Sequence, residues 1–371
     1  MKVLVIHPGH SLSTSDVYDG VCAGLRANGV EVVPFDWQRM MEVFTTLVVG
    51  AAAAGKIPKS RMEELHKFCT FVASADATNT AITESVDAVI VVNGLLFPPS
   101  RIAPLQMLGI PVACVGTESP YFDDTEQQIA PFYTHWFTNE RSAVARFQSN
   151  GVRCTYLPMA WNPERHTPAA PDPDKASDVV FIGGGFPERR RLLFGERAKP
   201  RSRRIVGGVN WTGIDAQILG TLWHLNIARE AGSTDFLRGQ RYAAGSIPNS
   251  DTRLYHASAK IALNLHRQMT YVERNSPLPP GAAESLGPRA YEIPAVGGFM
   301  LCDDERPEIF DVLGDAAATF TAWESASLER EIRYWLAHPD ERERRQAAQH
   351  QAILSHSWTH RAAVLLETIL T

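Results

Sequence analysis

Short runs of apolar, β-rich residues alternate with longer amphipathic stretches along the first half of the chain. Lys2–Pro8 (KVLVIHP) reads as a buried strand, followed by the polar loop PGHSLSTSD. Ser15 or Asp16 is suited to cap the next helix, which the pattern carries to Asn28-Gly29. That pair stops the helix and leads into a second strand, Val30–Asp36 (VEVVPFD). Helices are predicted at about 38–54 and 59–83. Ala88–Gly94 and Pro111–Thr117 are two further strands with a helix near 99–108 between them, and His135–Asn139 and Arg153–Pro158 flank another helix. Strands separated by helices throughout mean parallel βαβ units and an open, doubly wound sheet.

Residues 159–177 are proline-rich and lack periodicity, so the domain boundary falls there: 1–160, a linker at 161–177, and 178–356. A second α/β run begins at Asp178–Gly185 (DVVFIGGG). Arg203–Gly208, Ile261–His266, Gly298–Asp303 and Thr319–Trp323 are its other clear strands. Helices follow at 325–337, 340–353 and 357–370. No internal repeat aligns. Open α/β sheets bind ligands at the carboxyl ends of their strands, so two such domains face a central cleft with room for two ligands.

Composition agrees with this class. The chain has 371 residues, enough for two domains, with 44% hydrophobic and 21% charged residues. Disorder, collagen and coiled coil are excluded as whole-chain descriptions. No apolar run approaches the roughly 20 residues of a membrane helix. The start, MKVLVIHPG, is too short in apolar residues for a signal peptide, so a cytoplasmic location is expected. The five cysteines are dispersed and form no CxxC pair, which reads as small buried residues. A net charge of −5 disfavours a broad nucleic-acid surface.

Several segments carry candidate chemistry. Gly50–Lys56 fits GxxxxGK, but Ile57 replaces the required Ser or Thr and the segment follows a helix, so an Ala-rich helix end explains it. The first loop lacks GxGxxG; it is either a plain β–α turn or a place where Gly9 lets a ligand approach the backbone and His10 or Ser13 touches it. Gly183-Gly184-Gly185-Phe-Pro187 follows a strand and opens a helix, an arrangement suited to phosphate. Arg189 and Arg190 add charge at the head of a run, 189–204, with eight basic residues and one acidic. Glu118 and Asp124, after the strand Pro111–Thr117, are candidates to position an acceptor hydroxyl or act as a base, against the plain reading of Asp124 as a first-turn acid. His356 and His360 suggest no metal site without acidic or Cys partners nearby in sequence. In Glu284-Ser-Leu-Gly-Pro-Arg-Ala-Tyr-Glu292, seven residues separate two glutamates that can line one side of a helix entrance. Carboxylates suit sugar and ribose hydroxyls, and Gly287 leaves backbone N–H groups free for phosphate.

This last segment resembles the donor-binding signature of GT-B glycosyltransferases of family 4, or group 1, type. IALNLHR, PRAYEIPAVGGFMLCDDERPEIFDV, LEREIRYWLAHPDERERRQ and SHSWTHRAAVLLE are similar to the C-terminal domain of CgeB-like glycosyltransferases, a group also encoded by actinobacterial phages. TESPYFDDTE, HWFTNERSA and YLPMAWNPERHTP resemble the same group's N-terminal half. The resemblance implies an α/β GT-B fold of two Rossmann-like domains, with the last helix (357–371) packed back on the N-terminal domain.

It also implies a nucleoside-diphosphate-sugar donor, UDP- or GDP-linked, on the C-terminal side and an acceptor on the N-terminal side. By position, Glu292 binds ribose, Glu284 the transferred sugar, and the Leu286–Gly287 backbone the phosphates. Gly184, Gly185 and Arg189 or Arg190 hold the diphosphate without a metal or other cofactor. Pro288 removes one N–H from that set, a departure for which Arg289 can compensate. The expected reaction is transfer with retention to an acceptor hydroxyl, on a phage virion or cellular protein or on a small glycan, in the host cytoplasm if phage-encoded. A transferase acting on modified DNA bases, a nucleotide-sugar epimerase and a non-catalytic sugar-binding protein are the alternatives.

Overall fold

The computed structural model describes residues 1–9, 13–197, 205–220, 241–243, 247–268, 278 and 282–370. Two six-stranded sheets, each wholly parallel, form its two halves. The first contains β1 (Lys2–Ile6), β2 (Glu31–Phe35), β3 (Ala88–Val92), β4 (Val112–Val115), β5 (His135–Thr138) and β6 (Cys154–Tyr156), in the order β2-β1-β3-β4-β5-β6. The second contains β7 (Ser177–Ile182), β10 (Ala216–Leu219), β11 (Arg241–Ala243), β12 (Ala259–Asn264), β13 (Met300–Asp303) and β14 (Thr319–Phe320), in the order β11-β10-β7-β12-β13-β14. β8 (Glu196–Arg197) and β9 (Ile205–Val206) make a separate antiparallel pair.

Alternation along the central strands sorts the core. Val3 and Val5 of β1 face a layer that also holds Val180 and Ile182 of β7, whereas Leu4 and Ile6 face the opposite side of the first sheet. Val179 and Phe181 likewise turn to the far side of the second sheet. Both faces of each sheet are covered, as continuous apolar runs such as KVLVI require. The inner layers of the two halves merge into one core.

The chain crosses between the halves twice, side by side. Trp161 donates its N–H to His356 O (3.3 Å) and accepts from Trp358 N at 2.9 Å. The last helix, Trp358–Leu370, then lies on the first helix, Ser13–Ala27. Glycines make that approach possible: a Cβ on Gly20 would sit 2.1 Å from the Trp358 ring, and one on Gly24 only 2.2 Å from the Trp358 carbonyl oxygen.

Some local expectations are corrected. The run at 203–208 contributes only β9, outside the main sheet, and Arg203 and Arg204 lie outside the described residues. The strand beside β7 is instead β10, whose buried Gln217 is satisfied by the Lys175 and Ala176 carbonyls. The stretch 59–83 is two helices, Met62–Ala73 and Ala75–Thr83, meeting at Ser74. The first helix starts at Ser13, so Asp16 is a first-turn residue and no cap.

Candidate active site

The carboxyl ends of the two sheets meet across a cavity of about 660 Å³. Asn93 after β3, Glu118 after β4, and Asn139 and Glu140 after β5 come from the first sheet, with Asp16 from the first helix. Gly183 and Gly184 after β7, His266 and Arg267 after β12, and Arg306 after β13 come from the second. The loop 285–288 and the helix Arg289–Ala295 supply Arg289 and Glu292.

The glycine loop is shaped by close backbone contact. Gly220, after β10, has φ +128°, and a Cβ there would lie 2.4 Å from the Gly183 oxygen. Gly183 N–H is taken by Leu219 O (2.9 Å), whereas Gly184 N–H meets no acceptor among the described residues. Pro187 opens the helix Pro187–Phe194. From its first turn Arg189 reaches back, donating to Gly184 O (3.1 Å) and Leu265 O, with its guanidinium over the Phe181 and Phe186 rings. Burial pulls its pKa below the ordinary arginine value.

Arg306, only 2% exposed, donates to the Tyr121 hydroxyl (3.0 Å) and Arg267 O (2.9 Å), while its Nε and Nη1 find no partner. Among the described residues no carboxylate pairs with Arg189 or Arg306. A buried guanidinium, Arg306, and a half-buried one, Arg189, without an ion-paired carboxylate are costly unless a ligand supplies the charge.

Glu292, 5% exposed, has Oε2 3.4 Å from Arg289 Nη1 and Oε1 3.9 Å from His166 Nε2. Across the cleft Asp16 is held by Arg165 at 2.9 Å, and burial, with the Glu292 charge adding to it, pushes its pKa up to about 7. Burial does the same to Glu118, raised to about 7 against a lowering pull from Arg267. The Asn93 amide lies between Thr117 Oγ1 (2.8 Å) and Glu118 Oε1 (3.5 Å). Asn139 donates to Ser119 O (2.9 Å), and its Oδ1 is buried without a partner.

The cavity thus gathers Glu118, Gly184, Arg189, Leu286, Gly287, Arg289 and Glu292 from the sequence candidates. Others fall outside it. Arg190 turns its guanidinium onto the Gly185 carbonyl, tying the loop to its own helix, and neither residue lines the cavity. Glu284 pairs with Arg141 of the N-terminal half (2.8 Å) and does not reach the cavity. Leu286 N–H goes to Glu308 Oε2 (2.6 Å), leaving Gly287 N–H as the one without an acceptor in that pair, among the described residues. Asp124 is exposed in the first turn of the helix Asp123–Ile129. His10 lies outside the described residues, as do Lys199 and Arg201 of the basic run.

Asp16, Glu140 and Arg306 also line the cavity, and no sequence motif marks them as ligand residues. Arg306 lies within DDERPEIF, among acidic neighbours that mask it in the sequence. Among the described residues one group of three possible metal ligands occurs, His266, Cys302 and Asp303. There His266 already gives Nδ1 (2.8 Å) and its backbone N–H (2.6 Å) to Asp303, and it reads as a hydrogen-bonded brace in the cleft wall. His356 and His360 are hydrogen-bonded to Arg361 (2.9 Å) and Ser357 (2.8 Å).

Residues 190–367 match the family model described as "Glycosyl transferase-like". No curated protein matches the chain. Among solved structures it is similar to a trehalose-6-phosphate protein from E. coli bound with UDP-2-fluoro glucose (TM-score 0.60, 10% identity, covering 100% of this chain and 99% of that one). It is also similar to sucrose-phosphate synthase from Thermosynechococcus elongatus (TM-score 0.59, 11% identity, 99% and 98%). A UDP-forming alpha,alpha-trehalose-phosphate synthase from Burkholderia vietnamiensis matches at TM-score 0.59 and 11% identity, over 100% of both chains. Similarity at such identities is one of fold, and that fold is GT-B.

Proposed function

We propose that this GT-B protein, with its glycosyl transferase-like residues 190–367, moves a sugar from a nucleoside-diphosphate donor to an acceptor hydroxyl. The observation that carries the reading is the pair of cleft-lining guanidinium groups beside the glycine loop, the buried Arg306 and the half-buried Arg189, neither of which forms an ion pair among the described residues. A diphosphate there receives the Gly184 and Gly287 N–H groups and the Arg189 charge, and Glu292 accepts hydrogen bonds from the ribose diol. As the anomeric carbon–oxygen bond breaks, its electron pair leaves with the diphosphate. Charge fixed beforehand at that spot lowers the barrier without reorganisation. Glu118, with Asn93 and Asn139, orients the acceptor hydroxyl from the opposite sheet.

UDP is the favoured nucleotide because fold relatives are described as UDP-forming or UDP-sugar-bound. Retention of configuration and the CgeB-like subtype rest on the motif resemblance. A hydroxyl on a virion or cellular protein is our proposed acceptor, on the same resemblance. No helix among the described residues is long and apolar enough to cross a membrane.

A thermal-shift panel of UDP-, GDP-, ADP- and dTDP-sugars tests the donor reading. One of them should raise the unfolding midpoint, since a ligand bound only to the native state stabilises it. Arg189→Ala and Glu292→Ala should each abolish that shift. A shift that survives both substitutions refutes the site.

A further inference from the structure

The loop leading to the Glu292 helix is held from the opposite half of the molecule. Glu140, at the end of β5, is 1% exposed. Its carboxylate accepts the Glu284 N–H (3.1 Å to each oxygen), the Ser285 N–H (3.1 Å) and, in its own half, the Ser142 N–H (3.0 Å). The Ser285 hydroxyl lies 3.4 Å away. No Lys, Arg or His forms an ion pair with Glu140 among the described residues. The next two residues grip the same loop. Arg141 N–H donates to Ser285 Oγ (2.9 Å), and its guanidinium bridges Glu284 and Asp311 at 2.8 and 2.5 Å. Ser142 Oγ donates to Ala282 O at 3.0 Å.

A buried carboxylate with no cation beside it is sustained only by charge-assisted hydrogen bonds. Most of its donors here belong to the other half, so separating the halves strips Glu140 of them. It also frees the loop that presents Gly287 and Glu292 to the cavity. A residue serving only the fold of its own half would be satisfied within it.

We propose that Glu140 is a positioning residue for the donor: it shapes the Glu284–Gly287 loop across the domain boundary and couples diphosphate binding to cleft closure. Glu284 is then part of the same latch, through Arg141, and not a sugar contact. This inference rests on the donor reading above.

Calorimetry of wild type, Glu140→Ala and Glu140→Gln tests it, using UDP and uridine, or GDP and guanosine if the wild type prefers GDP. Glu140→Ala should weaken the diphosphate at least tenfold and raise the donor KM in proportion, with nucleoside affinity changed less than threefold. Glu140→Gln, which keeps one acceptor oxygen, should recover part of the loss. Arg141→Ala, which leaves Glu140 in place, should act in the same direction and serves if Glu140→Ala does not fold. Diphosphate affinity unchanged in these variants overturns the proposal, as does an equal loss for diphosphate and nucleoside. Wild type that binds no nucleoside diphosphate overturns the donor reading itself.

Discussion

Replacing Glu118 with Gln should stabilise the protein at alkaline pH while impairing catalysis. Burial lifts the Glu118 pKa from 4.5 to about 7. Because the folded state holds this proton more tightly than the unfolded chain, the associated stability is fully present below pH 4.5. It is lost as pH rises to about 7. At about 1.4 kcal/mol per unit, the charged carboxylate costs the fold on the order of 3 kcal/mol by pH 8. Gln preserves the shape and the acceptor oxygen near Asn93 without the charge. The stability difference, Gln variant minus wild type, should therefore grow from near zero at pH 4 to roughly 3 kcal/mol at pH 8. Urea unfolding at a series of pH values measures it, and the variant-minus-wild-type difference cancels groups such as Asp16 that titrate in both. A difference that is flat with pH, or one smaller at pH 8 than at pH 4, refutes the reasoning. Lower turnover in a more stable variant is what a residue kept for function should show.

Arg189→Ala should lower kcat by roughly a hundredfold or more, the usual effect of removing one group that stabilises leaving charge, measured as nucleoside diphosphate released. Asp124→Ala, on an exposed helix turn, should leave kcat within about twofold in the same assay. Gly24→Ala should destabilise by about 3 kcal/mol in urea, because the new methyl meets the rigid Trp358 carbonyl at 2.2 Å. The same change at Gly50, which has open space, should be close to neutral or stabilising.

The architecture was legible wherever burial on both faces leaves unbroken apolar runs. KVLVI, AVIVV and DVVFI all became central strands, and the proline-rich stretch marks where the chain changes halves. β10 escaped notice because it is four residues long and carries a buried Gln217, whose partners, the carbonyls of 175 and 176, are distant in sequence. That the glycine loop and Glu292 face the cavity follows from patterns local in sequence, a strand end and a helix start. What distinguishes Arg189 from Arg190 is not local: adjacent residues on one helix turn point a third of a turn apart, and only the fold decides which faces the cleft. Glu284 misled for the opposite reason. Its spacing from Glu292 is local, but its partner Arg141 comes from the other half, and no pattern within the motif encodes that contact. Glu140 and Arg306 matter through burial, which emerges only when two sheets close on each other.

The central claim is that a nucleoside diphosphate lies between the glycine loop and Glu292. A crystal structure with the diphosphate selected by the thermal-shift panel measures this directly. Phosphate density against Gly184 N–H and the Arg189 guanidinium, with ribose hydroxyls on Glu292, is the result expected. A nucleotide bound against the N-terminal sheet, or with Glu292 and Arg189 untouched, would contradict it.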